Sequence, residues 1–184
     1  MSIKTIRIIA LFVLVIAAVV GLNRWRAGRV VQSNPANPLG AAFANLNYEA
    51  LNALIVSRGE RKAVVERGSD HVWKVEGNKA DASRVKDAVQ ALKDTEFTGP
   101  VSRAAANFDK LGVGSSGMVV EVGPSKFVVG NSGPTYQSTY LRLDESQDTY
   151  LAAKNLSVYF SADTDFWQKW NRETAQVKAR LQRS

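Results

Sequence analysis

Fifteen consecutive apolar residues, Ile8 to Leu22 (IIALFVLVIAAVVGL), carry no charge and lie close to the amino terminus. Lys4 and Arg7 precede them, and Arg24, Arg26 and Arg29 follow. A charged side chain at the centre of a bilayer costs a few kcal/mol or more, so an uncharged run bounded by cations is what a membrane interior selects. As a helix the run is roughly 22 Å long at ~1.5 Å per residue, short of a hydrocarbon layer of ~30 Å. Lys4 to Trp25 spans that layer when the cations snorkel and Trp25 sits at the interface. The expectation is a transmembrane anchor over residues 1–29, with Ile8, Leu11, Phe12, Leu14, Val15, Val19, Leu22 and Trp25 as its membrane-embedded residues and the lipid bilayer as first partner. A cleaved secretory signal peptide is the competing reading. Val19 and Gly21 fill the small cleavage positions weakly, whereas the three arginines resemble a stop-transfer flank. A helix apolar on every side and terminal does not suit a soluble core. Each flank holds about three positive charges when the amino terminus is counted, so the positive-inside rule does not set the topology.

The rest of the chain, roughly 160 residues, suits one domain with a self-sufficient core. It contains no cysteine, which excludes disulfides and thiolate chemistry. The net charge of +7 suggests nucleic acid until its position is considered. Five cations flank the apolar run, and residues 169–184 hold five more against Glu173 alone. Between Val30 and Gln168 there are 14 Lys/Arg and 16 Asp/Glu, a net of −2. Nucleic-acid binding needs a basic surface that neutralises phosphates, so no nucleic-acid partner is expected. The cationic ends, including Arg24, Arg26 and Arg29, suit anionic headgroups or an acidic partner.

After the anchor, residues 30–45 read as a polar linker in which Pro35 and Pro38 disfavour helix before them. A domain is expected over residues 46–170. Residues 46–57 (LNYEALNALIVS) read as its first strand, followed by a turn at Gly59–Arg61 and short strands at Lys62–Glu66 and His71–Glu76, with Val64, Val72 and Trp73 on the inner surface. Asp81 or Ser83 caps a helix through Lys93 whose stripe is Val85, Ala88, Val89 and Leu92. Thr98–Arg103 reads as a strand and Ala104–Leu111 as a short helical turn. Strands at Met118–Val122, Lys126–Val129, Ser138–Leu143 and Thr149–Ala153 follow, separated by turn residues. From about Asp163 the pattern is an amphipathic helix, with Phe166, Trp170, Val177 and Leu181 in one stripe and Trp167 beside it. The fold class is therefore α+β: a transmembrane helix, then a mostly antiparallel sheet with one packed central helix, then a C-terminal amphipathic helix. Residues 171–184 form its basic tail.

In this order, the hairpin tryptophan segment VWKVEG (Val72–Gly77), the capped helix ADASRVKDAVQAL (Ala80–Leu92), FDKLGV (Phe108–Val113), FVVGNSG (Phe127–Gly133), TYLRL (Thr139–Leu143) and VYF (Val158–Phe160) resemble the bacterial envelope family catalogued as domain of unknown function 4340. The resemblance covers roughly residues 48–170. It departs after the Gly-Leu-type turn, where the family usually has proline and this chain has Gly114-Ser115-Ser116-Gly117. What the resemblance implies is a domain tethered to the bacterial inner membrane on its periplasmic side, akin to proteins found beside gliding-motility-type ABC transporter auxiliaries. It implies no catalytic residues.

The residues that tempt a chemical assignment are weak singly. Gly112–Gly117 matches GxGxxG, but a strand (MVVEV) follows where a dinucleotide site needs a helix. His71 is the sole histidine, and a base needs a nucleophile and an orienting acid in reach; with no cysteine, zinc is not expected either. Asp144, Glu145 and Asp148 share a loop without EF-hand spacing. No catalytic, cofactor or metal residues are expected. The expected contacts with a partner or lipid are the basic anchor flank together with Trp170, Arg172, Val177, Lys178 and Leu181, and Ala17, Ala18 and Gly21 permit close helix approach. The function expected is a non-enzymatic accessory or scaffold subunit of an integral membrane complex, a transporter or an energy-converting assembly. The alternative is a module binding a small ligand or cell-wall fragment in a pocket lined by Trp73, Tyr136, Tyr140 or Trp167. A hydrolase would need a nucleophile, base and orienter, and no coherent set is visible.

Overall fold

The computed structural model describes residues 37–168. Their centre is one eight-stranded sheet in which every pairing is antiparallel. The strands are β1 (Ala53–Arg58), β2 (Arg61–Arg67), β3 (Trp73–Val75), β4 (Asn78–Lys79), β5 (Met118–Val122), β6 (Ser125–Ser132), β7 (Thr139–Leu143) and β8 (Thr149–Ala152). Their order is β4-β3-β2-β1-β5-β6-β7-β8. The two strand groups separated by the central helix are thus two meanders joined edge to edge between β1 and β5, with Val56 opposite Val120. The α+β class is as expected.

Tight turns set the registers. Arg58 pairs with Arg61 across Gly59 and Glu60, and Val122 with Ser125 across Gly123 and Pro124. Val75 pairs with Asn78, and both residues between them, Glu76 and Gly77, have positive φ, the requirement of a type I′ hairpin that follows the natural strand twist. Between Val129 and Ser132 the register with β7 shifts, a bulge in β6.

Alternation puts one face of the sheet in the core. Leu54, Val56, Ala63, Val65, Val120, Val122, Phe127 and Leu141 are all fully buried there. This corrects the inner surface expected for β2: Ala63 and Val65 point inward, and Val64 lies half-buried on the outer face. Because side chains alternate in a strand, a one-residue error exchanges the faces. Val72 likewise is half-buried in a turn, while Trp73 is in the core.

Two helices cover the inner face. α1 (Pro38–Ala44) buries Leu39 and Phe43, and Phe43 packs its ring 4.9 Å from Phe127 and 5.7 Å from Phe97. The expected linker through residue 45 therefore ends at Asn37. Pro38 occupies the first turn, where its missing N–H costs nothing. Asn37 Oδ1 accepts the Leu39 N–H at 2.9 Å, and Asn37 Nδ2 donates to the Thr98 carbonyl at 2.7 Å. α2 (Ala82–Lys93) is the expected central helix. Asp81 caps it, and Val85, Ala88, Val89, Ala91 and Leu92 are buried.

Two expected strands are shorter or absent. Residues 46–52 do not continue β1; Tyr48–Ala50 form a 3-10 turn capped by the Asn47 side chain. Thr98–Arg103 is no regular strand, since Pro100 interrupts it. The segment makes isolated bridges to β8 (Phe97 to Ala152, Ser102 to Thr149) and so covers that edge. Of the C-terminal helix expected from Asp163, the described residues show a single turn, α4 (Thr164–Trp167), after which Gln168 turns extended and bridges to Ala80. The stripe through Trp170, Val177 and Leu181, and the expected transmembrane segment with its basic flank, lie outside the described residues. Among the described residues no helix is long and apolar enough to cross a membrane.

Candidate functional site

Among the described residues, the outer face of the sheet is covered on one side only. Over β6 and β7 lies the segment 104–117, with α3 (Phe108–Leu111) in its middle. Arg142 fastens it from below. Its Nε donates to the Val113 carbonyl at 3.1 Å, its guanidinium lies 4.5 Å from the Phe108 ring centre, and Nη1 donates to the Ser146 carbonyl at 3.0 Å. Nothing in the local sequence marks Arg142 as structural; the signal is its place on the outward alternation of TYLRL.

This segment absorbs the glycine motif. Gly112 ends α3 in the left-handed conformation with φ +70°, which glycine adopts without steric cost. A Cβ on it would stand 2.8 Å from the Asn131 backbone nitrogen. The loop lies against β6, and β5 follows it, so among the described residues no helix N-terminus faces the glycines.

Over β1, β2, β3 and β5 no described residue covers the outer face. Ile55, Val64 and Val119 are half-buried there. A shallow groove of about 440 Å³ is lined by Lys62, Val64, Glu66, Lys74, Glu76 and Gly77. Its charges alternate in sign. Toward β7 a row of charges crosses the strands: Lys126 Nζ lies 3.0 Å from Asp144 and 3.8 Å from Glu121. The bond to Asp144 holds the Lys126 ammonium above its ordinary pKa.

The sequence-derived chemical candidates are dispersed. His71 is exposed in the β2–β3 turn at φ +57°. The neighbouring Asp70 is engaged elsewhere: Lys74 donates to it at 2.8 Å, which lowers its pKa, and its other oxygen accepts the Val72 N–H. Asp144 and Asp148 separate onto Lys126 and Arg103, the latter at 3.3 Å. Asp148 also accepts from the Tyr150 hydroxyl, whose pKa is raised by burial and then by that carboxylate. Among the described residues no group of acids and histidine is placed to hold a metal ion. The four aromatics expected to line a pocket do not meet. Trp73 and Trp167 are core residues, Tyr136 is 93% exposed in a loop, and Tyr140 lies on the outer face. Trp73 Nε1 donates to the Tyr48 hydroxyl at 3.0 Å, and Trp167 Nε1 to the Ser161 carbonyl at 2.7 Å. One oddity lies at the covered edge. Thr149 Oγ1 is buried with no hydrogen-bond partner among the described residues.

A family model for a domain of unknown function, DUF4340, matches residues 73–171, from β3 past the end of the described chain. The chain belongs to the DUF4340 family. The match begins at Trp73, so α1, β1 and β2 lie before it although β1 and β2 are central strands of the same sheet. No curated protein and no solved structure matches the chain.

Proposed function

We propose that this DUF4340 protein is a non-enzymatic, single-pass accessory subunit of a larger complex in the bacterial inner membrane, with its α+β domain on the periplasmic side. The observation that carries the reading is the uncharged run Ile8–Leu22 between two cationic flanks, followed closely by a folded body. Only residues 30–36 separate Arg29 from Asn37, where α1 begins to seal the core. Seven residues reach at most about 25 Å when fully extended. A domain on so short a leash works beside its anchor, against whatever protein the anchor accompanies.

The chemistry of the body supports such a role. Its single histidine and its acids face different neighbours, and its open outer face presents mixed charge around Ile55, Val64 and Val119. A face of that kind suits a protein neighbour better than a substrate of one charge. Ala17, Ala18 and Gly21 allow the anchor to pack closely against other membrane helices. The partner is an integral membrane assembly, a transporter of the ABC type or an energy-converting complex. Purification of the full chain in mild detergent, with mass spectrometry of what accompanies it, tests the proposal. A stoichiometric integral membrane protein is expected; a monodisperse monomer would overturn it. Reporter fusions at the carboxyl terminus test the topology, and activity of a reporter that works only in the cytoplasm would refute the periplasmic placement.

A further inference from the structure

At the end of the sheet away from the β5–β6 turn, the β1–β2 hairpin sets Arg58 directly opposite Arg61. Like charges facing each other across a strand pair are unfavourable, and two arginines side by side are an arrangement that an oxyanion relieves. Among the described residues Arg61 has one carboxylate partner, Asp163 at 2.9 Å, in a pair more than half exposed on both sides and therefore weak. Arg58 has no carboxylate partner among the described residues; its Nε donates to the Ser116 carbonyl at 3.2 Å. That bond steadies the guanidinium and leaves its two terminal nitrogens free of hydrogen bonds among the described residues.

The hairpin end faces a cleft of about 120 Å³ whose other wall is Ser157, Phe160, Ser161, Ala162 and Asp163. The space has room for several waters or for one tetrahedral oxyanion. Phe160 and Met118, both almost fully buried, give it an apolar floor. Ser161 is held in place. Its carbonyl accepts the indole N–H of the fully buried Trp167, and its hydroxyl oxygen accepts the Asp163 N–H at 3.1 Å. The Ser161 hydroxyl proton has no acceptor among the described residues.

We propose that this cleft binds a phosphate group, held by the terminal nitrogens of Arg58, by Arg61 and by the Ser161 hydroxyl. Two guanidinium forks and one hydroxyl match an oxyanion with several acceptor oxygens. The Asp163 carboxylate is the opposing element: it competes for Arg61 and repels the ligand, so occupancy requires it to yield Arg61. The phosphate is either free in solution or the headgroup of an anionic lipid, and the same donors serve both. The site is independent of the accessory-subunit reading, since it rests only on the folded domain.

The test is a titration of the full chain in maltoside detergent with inorganic phosphate at constant ionic strength, following the arginine Nε–Hε resonances by NMR. Saturable shifts of the Arg58 and Arg61 signals are expected with phosphate and not with chloride. Arg58→Gln should weaken binding by about tenfold or more, the loss of one charge-assisted contact. Asp163→Asn should tighten it, because the competitor for Arg61 is gone. A non-saturating response, equal shifts with chloride, or an Arg58→Gln variant that binds as well as the wild type would overturn the proposal. Vesicles of phosphatidylcholine with and without phosphatidic acid then identify the source. Competition with free phosphate by phosphatidic acid assigns a lipid headgroup, and phosphate binding without such competition assigns a soluble ligand.

Discussion

Replacing Phe43 by alanine tests whether the segment ahead of the sheet belongs to the folded body. Phe43 is 1% exposed, on α1, with ring contacts to Phe97 and Phe127 at 5.7 and 4.9 Å. Truncating a buried phenylalanine removes its transfer free energy and leaves a cavity, together about 3–5 kcal/mol. Small domains have about 5–15 kcal/mol of total stability, so the variant sacrifices a large fraction of it. With a denaturant dependence of about 2 kcal/mol per molar urea, the midpoint falls by about 2 M. The assay is urea unfolding of the full chain in mild detergent, followed by fluorescence of the buried Trp73 and Trp167. Tyr136→Ala, at a side chain 93% exposed, is the control and should stay within about 0.5 kcal/mol of the wild type. If Phe43→Ala behaves like Tyr136→Ala, α1 is not part of the core and the boundary at Asn37 is wrong.

Three further substitutions probe separate features in the same assay. Gly112→Ala forces a side chain into φ +70° and against the Asn131 backbone, so it should cost more than about 1 kcal/mol; a neutral result would contradict the loop geometry. Thr149→Val removes the orphaned buried hydroxyl and should raise stability by about 1 kcal/mol, whereas a loss of stability would mean that the hydroxyl is satisfied. Asp81→Ala removes the α2 cap and should cost about 1 kcal/mol at neutral pH. The Ser83 hydroxyl, bonded to the Asp81 carboxylate, lowers the Asp81 pKa below 3.8. Its stabilisation is therefore complete above about pH 5 and disappears as pH falls through the lowered folded value. The gap between wild type and variant should narrow below pH 3.8; a gap that widens there would refute the assignment.

Elements whose local pattern agreed with their tertiary role were legible in the sequence. MVVEV alternates between two glycines and is β5 from Met118 to Val122. The helix after Asp81 announced itself through its cap and its Val85–Leu92 stripe. The failures have physical causes. Pro35 and Pro38 disfavour helix before them, which makes residues 30–45 read as linker, yet proline in the first turn of a helix is favourable, and Leu39 and Phe43 stand four apart on one helical face. Residues 46–57 read as one strand, but the Asn47 side chain caps a 3-10 turn, Tyr48–Ala50, ahead of β1. The end of α4 at Gln168 depends on pairing with Ala80, about ninety positions earlier, and no local pattern encodes such a partner. Of the candidate residues on the body, Trp73 and Trp167 are packing residues, Asp144 and Asp148 are ion-pair residues, and His71 and Tyr136 are exposed in loops; the Arg58–Arg61 cleft is not legible locally because hairpin register and the 157–163 loop together create it.

The proposed tethered role requires the apolar segment Ile8–Leu22 to remain attached and embedded in lipid. Alkaline carbonate extraction of membranes from cells producing the untagged protein, with terminal sequencing of the recovered chain, tests that directly. A tethered chain stays in the membrane pellet and retains residues 8–22. Recovery in the soluble fraction, with a mature terminus beyond Gly21, would contradict it.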